Sequence, residues 1–326
     1  MFQATARRSA TLAATLMAGL AAASLAPATA TTTATATAAT TATAATTATA
    51  ATTATAATTA TTEAVPDRPA IIGGRVATES YPFMASFRLA EQPDHHCGGA
   101  LVAADWVVTA AHCQGLLKPG ATRVRVGSAD RDEGGVPAGV KRVVVHPGFG
   151  SSWGPRGREA DLALVRLDRR VDLAPIPIAA EPGAVGAPSR VLGWGMTCEN
   201  RKNPDCADGS RLLRELDTVR VADDRCVTID GVAELCAGER DGRAASACNG
   251  DSGGPQIRRV GGRWELIGAT SRDGDDVDDR MDGGAGCSTS PAGGPGVGIW
   301  TDVTRYRSWI ARTLGEDAPA EVRTDS

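Results

Sequence analysis

Short runs of apolar residues, many alternating with polar ones, recur along the chain from Ile71 onward, and clusters of Gly, Pro or Asp separate them. A period of two bounded by turn formers predicts strands. They are expected near residues 83–89, 100–104, 106–109, 123–127, 140–145, 162–167, 189–193, 216–221, 234–237, 255–260, 264–271 and 298–303. This spacing favours a sandwich or barrel over alternating βα units. The Pro-rich stretch Asp172–Pro188 divides the β region into comparable halves and reads as the connection between them. One helix closes the chain: Tyr306, Trp309, Ile310 and Leu314 fall on one face, with Asp302 or Thr304 as its cap. The expected class is all-β with a C-terminal α-helix, followed by a polar tail over residues 316–326.

Before Ile71 the alternation disappears. Arg7 and Arg8 precede an apolar run from about Ala10 to Ala26, and Ala28-Thr29-Ala30 supplies a small-residue cleavage site. Residues 1–30 therefore read as a secretory signal peptide; the run is short for a membrane anchor. Residues 31–62 are almost wholly Ala and Thr, with no large side chain whose burial would offset ordering entropy. Residues 31–70 as a whole read as a flexible or O-glycosylated spacer and pro-segment. A wall-associated adhesive role for the Ala/Thr tract is a competing reading. The 326 residues are 42% hydrophobic with a net charge of −4, which provides a core and no nucleic-acid surface. Secretion implies an oxidising compartment, and eight cysteines suit it.

Candidate chemistry centres on Asn249-Gly250-Asp251-Ser252-Gly253-Gly254-Pro255. Glycines permit a tight turn that presents a serine beside backbone N–H groups, the parts an acyl-transfer site needs. Of the four histidines, His95, His96, His112 and His146, His112 directly follows a predicted strand, and Asp161 opens the apolar run Leu162-Ala163-Leu164-Val165. The order His112, Asp161, Ser252 is one of the known serine-triad orders. Gly250-Asp251-Ser252-Gly253-Gly254 also fits the α/β-hydrolase elbow, but that fold needs a histidine after the serine, and none follows His146. A subtilisin-like order would draw on Asp94 or Asp105 and an α/β fold, which the strand pattern does not support.

From Ile71 to about Leu314 the chain resembles the chymotrypsin/trypsin family of serine endopeptidases. The resemblance is carried by Ile71-Ile72-Gly73-Gly74, Cys97-Gly98-Gly99-Ala100-Leu101, Thr109 through Cys113, Asp161-Leu162-Ala163-Leu164, Gly193-Trp194-Gly195 and Cys248 through Pro255. It implies two antiparallel six-stranded β-barrels with the active site between them. These would span about 71–180 and 181–303 of a protease domain at 71–315, with the helix over 304–314. It implies Ser252 as nucleophile, His112 as general base and Asp161 as its orienting acid, with the N–H groups of Gly250 and Ser252 as oxyanion hole and Ser271 beside Asp161. It implies activation by cleavage before Ile71, whose ammonium would pair with Asp251. Pro69-Ala70 precede that bond, so the expected activator is a separate protease preferring small residues. It also implies disulfides Cys97–Cys113, Cys226–Cys236 and Cys248–Cys287, leaving Cys198 and Cys206 to pair together. Zinc at His96-Cys97 and His112-Cys113, or calcium at Asp130, Asp132 and Glu133, are competing readings; the expectation is no metal and no cofactor.

The family places the base of its primary pocket six residues before the nucleophile, here Ser246, and an uncharged base argues for an apolar partner. Gly298 is expected to keep the opposite wall small. The family's Ser-Trp-Gly wall is here Ser271-Arg272-Asp273, followed by Asp275, Asp276, Asp278, Asp279 and Asp282, read as a solvated loop. The expectation is a secreted, monomeric zymogen of a serine endopeptidase acting on proteins or peptides and open to protein inhibitors. Its specificity would be chymotrypsin-like or restricted, with trypsin-like as runner-up, and its mature form would span no membrane. The alternative is a protease-fold binding protein with impaired catalysis.

Overall fold

The computed structural model describes residues 71–92, 94–150, 160–198, 208–239, 245–274, 287 and 296–316. A two-residue strand β1 (Arg75–Val76) leads into β2 (Met84–Leu89), β3 (Cys97–Ala103), β4 (Trp106–Thr109), β5 (Thr122–Val126), β6 (Val136–Val145) and β7 (Ala163–Leu167). The last six form a closed antiparallel barrel in the order β2-β3-β4-β7-β6-β5. Strand β6 makes closure feasible. Its first part pairs with β5 and its second with β7, and a register shift between Val140 and Arg142 bends it around the corner. Met84, Phe87, Leu101, Leu164 and Leu167 are fully buried inside.

The second barrel uses β8 (Pro188–Gly193), β9 (Arg214–Arg220), β10 (Glu234–Gly238), β11 (Pro255–Val260), β12 (Arg263–Asp273) and β13 (Val297–Asp302). Its order is β9-β10-β13-β12-β11-β8; β8 returns to β9, and β1 adds to the outer edge of β9. The fold is thus two closed six-stranded antiparallel barrels with one C-terminal helix, as expected. Within the Pro-rich connection, Ile176 N–H donates to Leu101 of the first barrel and Ala179 N–H to Leu266 of the second.

Asp302 caps a 3₁₀ turn, Val303–Tyr306, by accepting from Thr304 N–H at 3.0 Å, and helix α1 (Arg307–Glu316) continues from it. The His146 ring lies edge-on to Tyr306 and Trp309, both at 4.8 Å, which seats the helix region on the end of β6. Among the described residues no helix is long and apolar enough to cross a membrane.

A polar cluster fastens the segment after Ile71 to the second barrel. Glu215 of β9 is fully buried. It accepts from Tyr81 Oη at 2.7 Å and Thr78 Oγ1 at 3.0 Å, and pairs with Arg75 at 2.7 Å and Arg190 at 3.2 Å. Arg190 stacks 5.1 Å from the Trp264 ring centre. Removing one partner of a buried pair leaves the other charge unmatched. Glu215→Ala is expected to lower unfolding free energy by about 3 kcal/mol in urea titrations. Arg75→Ala, at a half-exposed end of the cluster, is expected to cost less than about 1 kcal/mol.

Candidate active site

The Ser252 turn is built by backbone constraints that only small residues meet. Asp251 N–H donates to Cys248 O, Gly253 N–H to Thr270 O and Gly254 N–H to Asp251 O. Among the described residues the N–H groups of Gly250 and Ser252 have no acceptor, so two donors are left beside the serine hydroxyl. Gly253 has φ +74°, and a Cβ there would lie 2.1 Å from Thr109 Oγ1 and 2.7 Å from Ala110 N. The turn therefore presses against the strand end that leads to His112. Gly98 N–H donates to Ser252 O at 2.8 Å and holds the turn from the first barrel.

His112 lies in a 3₁₀ turn, Ala111–Gly115, directly after β4, and Cys97–Cys113 ties that turn to β3. Asp161 sits just before β7 and is fully buried. Its Oδ1 accepts His112 N–H at 2.8 Å and its Oδ2 accepts His112 Nδ1–H at 2.7 Å. Ser271 Oγ donates to the same Oδ2 at 2.7 Å, and Thr301 Oγ1 donates to the Asp161 carbonyl at 2.9 Å. Burial pushes this carboxyl's pKa up, but the charge and hydrogen bonds of His112, with the Ser271 hydroxyl, outweigh it and hold the pKa below the usual carboxylate value. The imidazole is fixed with Nδ1 toward the acid and Nε2 on the far side of the ring.

Asp251 contrasts with Asp161. It is fully buried, with Oδ1 accepting from Gly195 N–H at 2.8 Å and Oδ2 from Cys248 N–H at 2.9 Å. A Cβ on Gly195 would lie 2.5 Å from its carboxyl carbon, which accounts for the glycine in Gly193-Trp194-Gly195. No cation faces it among the described residues, and burial pushes its pKa up to about 7. Ile71 is itself fully buried, packed with Val191, Leu216, Leu235, Ala245 and Trp300, and Ile72 O accepts from Ser246 N–H at 3.1 Å.

His95 escaped the sequence reading. Its Nε2 lies 2.8 Å from Gly250 O and its Nδ1 2.8 Å from Ser86 Oγ, so it bridges β2 to the Ser252 turn. Burial drives the imidazole down to about 3, so it is neutral. The signal was a serine inside the apolar strand Met84-Ala85-Ser86-Phe87, unexplained until it has a partner.

The remaining expected residues fall as follows. The disulfides Cys97–Cys113, Cys226–Cys236 and Cys248–Cys287 are present. The Cys198–Cys206 pairing lies outside the described residues, because Cys206 does, as does the acidic run from Asp275 to Asp282. The sulfurs of the zinc reading are spent in a disulfide. In the calcium reading Arg211 already pairs with Asp130 at 2.8 Å and Glu133 at 2.6 Å. Ser246 and Gly298 come together, with Ser246 Oγ 3.3 Å from where a Gly298 Cβ would sit. Asp273 pairs with Gly298 across β12 and β13. Arg272 is not a bare wall of the cleft. Its guanidinium forms a bidentate pair with buried Glu234 and donates to Thr228 O.

The two perturbed groups around the turn give opposing pH slopes in the uncleaved chain. Folded Asp251 stays protonated to about pH 7 while the unfolded group ionises near 3.8, so stability is lost as pH rises across that window. Folded His95 stays neutral down to about pH 3 while the unfolded group takes a proton near 6.5, so stability is lost as pH falls. Each slope is worth on the order of 4 kcal/mol. In a Ser252→Ala background, adding Asp251→Asn should leave stability rising between pH 3 and 6.5, as measured by urea unfolding. His95→Asn should leave it falling between pH 4 and 7.

Comparison with known proteins shows the family of the chain. The family model described as Trypsin matches residues 71–310. The chain is 32% identical over 263 residues to human transmembrane protease serine 5, covering 74% of this chain and 51% of that protein. It is 32% identical over 275 residues to mouse vitamin K-dependent protein C, covering 78% of this chain and 54% of that protein. The chain thus spans about half the length of the curated relatives it matches.

Proposed function

The chain belongs to the trypsin family, and from that premise we propose that it is a secreted serine endopeptidase made as a zymogen. Ser252 Oγ attacks the scissile carbonyl of a protein or peptide substrate. His112 Nε2 takes the hydroxyl proton and later gives it to the leaving amine, while Asp161 holds the tautomer and stabilises the imidazolium. The N–H groups of Gly250 and Ser252 receive the developing oxyanion. Water then repeats the sequence on the acyl-enzyme. The observation that carries this reading is the His112–Asp161–Ser271 chain set beside a serine turn with two unspent N–H donors.

Activation follows from Asp251. Cleavage after Ala70 would free an ammonium at Ile71, whose side chain is already buried in the second barrel. That ammonium supplies the cation the buried carboxyl lacks and converts a protonated acid into an ion pair. The pair then holds Cys248, Gly195 and the intervening turn in place. Residues 1–30 direct the chain out of the cell, and the enzyme acts as an extracellular monomer open to protein inhibitors.

A fluorophosphonate probe is expected to label Ser252 in the form beginning at Ile71 and not in Ser252→Ala. Absence of labelling in a folded, correctly cleaved sample would leave the binding-protein alternative. Asp161→Asn should reduce kcat about 10⁴-fold. Asp251→Asn should leave the cleaved chain folded but without measurable labelling.

A further inference from the structure

Ser246, which the family resemblance places at the base of the primary pocket, has a neighbour that the sequence pattern did not reveal. Gly298 and Trp300 are two apart on β13, so they share one face of the strand. A Cβ on Gly298 would lie 2.7 Å from Trp300 Cη2, 2.8 Å from Trp300 Cζ3 and 3.3 Å from Ser246 Oγ. The glycine therefore does not leave an open wall. It leaves the room that the indole fills, directly beside Ser246.

The ring is locked there. Trp300 is 1% exposed, and its Nε1–H donates to Thr270 Oγ1 at 3.0 Å. Thr270 Oγ1 donates in turn to Gly254 O at 3.0 Å, and Thr270 O accepts Gly253 N–H at 2.8 Å. The indole thus runs from the nucleophile turn to the base of the pocket. Swinging it aside would strand a buried N–H, which is costly. Ser246 and Trp300 themselves carry no ionisable group, and the carboxylate of Glu234 is spent on Arg272; Asp273 stands opposite Gly298 across β12 and β13.

We propose that Trp300 closes the floor of the primary pocket, so that the enzyme cleaves after small side chains such as Ala or Val and not after aromatic or basic ones. This rests on the endopeptidase reading above and names its substrate class. It also changes the expectation about activation. Ala70 precedes the activating bond, and its side chain is of the size this pocket takes, so the mature enzyme can process its own precursor once the Ile71–Gly74 turn opens.

The test uses the form beginning at Ile71, with active sites counted by the fluorophosphonate probe. Labelling separates the two readings: an unlabelled protein fails as an endopeptidase, whereas a labelled one reports on the pocket. Peptide amides differing only in the residue before the cut should give kcat/KM for Ala or Val at least about 10-fold above Phe and Arg, the discrimination that a small difference in side-chain size supports in a tight pocket. Trp300→Phe, which keeps an aromatic ring and should fold, is expected to move the ratio toward Leu and Phe by about 10-fold. Trp300→Ala should move it further wherever the variant remains labelled. The Ser252→Ala precursor should be cut by mature enzyme between Ala70 and Ile71, and Ala70→Arg should abolish that cut. A labelled wild type that prefers Phe or Arg would overturn the proposal, as would a labelled Trp300→Phe enzyme with the wild-type profile.

Discussion

A carboxylate taken out of water must find donors or a cation, or else hold its proton, and Asp251 carries that constraint into the centre of the second barrel. Among the described residues its two oxygens reach only the backbone N–H groups of Gly195 and Cys248. To bring those groups close, Gly195 must lack a Cβ and the Cys248–Ser252 chain must curl tightly. The same curl leaves Gly250 and Ser252 with N–H groups pointing away from the protein's own acceptors. The two unspent donors and the buried acid therefore lie on one backbone path.

Asp161 and Asp251 are both fully buried, yet their proton affinities move in opposite directions. The difference lies in partners, not depth. Asp161 has an imidazole, a hydroxyl and a backbone N–H converging on it, and the imidazole brings charge when it takes a proton. Asp251 has two neutral amides. Under the proposed function, the first carboxylate serves turnover and the second receives the cation that cleavage would supply. His95 fits this division, since a neutral imidazole on Gly250 O adds no repulsion to an arriving ammonium.

Much of this was legible in the residues because it depends on local pattern. Alternation and turn formers located the strands; chain order separated His112, Asp161 and Ser252 from the hydrolase arrangement, and the strand pattern separated them from the subtilisin one. What was not legible depends on partners distant in sequence. Ser86 with His95, and Glu215 with Tyr81 and Arg190, are ordinary residues until the barrels close around them. Arg272 was read only as part of the cleft wall because Glu234, 38 residues away, gives no sign of pairing with it. Gly298 was read by what it lacks. Its meaning came from the neighbour two residues on, whose ring occupies the vacancy.

The two barrels are joined partly through the candidate site. Each described disulfide closes within one barrel: Cys97–Cys113 in the first, Cys226–Cys236 and Cys248–Cys287 in the second. Beyond the connection and the Glu215 cluster, the loop between β5 and β6 bonds the second barrel, with Arg131 N–H donating to Arg211 O and Leu213 N–H to Ala129 O, and hydrogen bonds of the candidate site also span the two barrels. Gly98 holds Ser252 O, His95 holds Gly250 O, and Ser271 and Thr301 hold Asp161 from the second barrel. Each is worth about 1 kcal/mol net, so no single one dominates. The candidate site lies at the seam, and some of the contacts that form the seam are those the proposed chemistry would use.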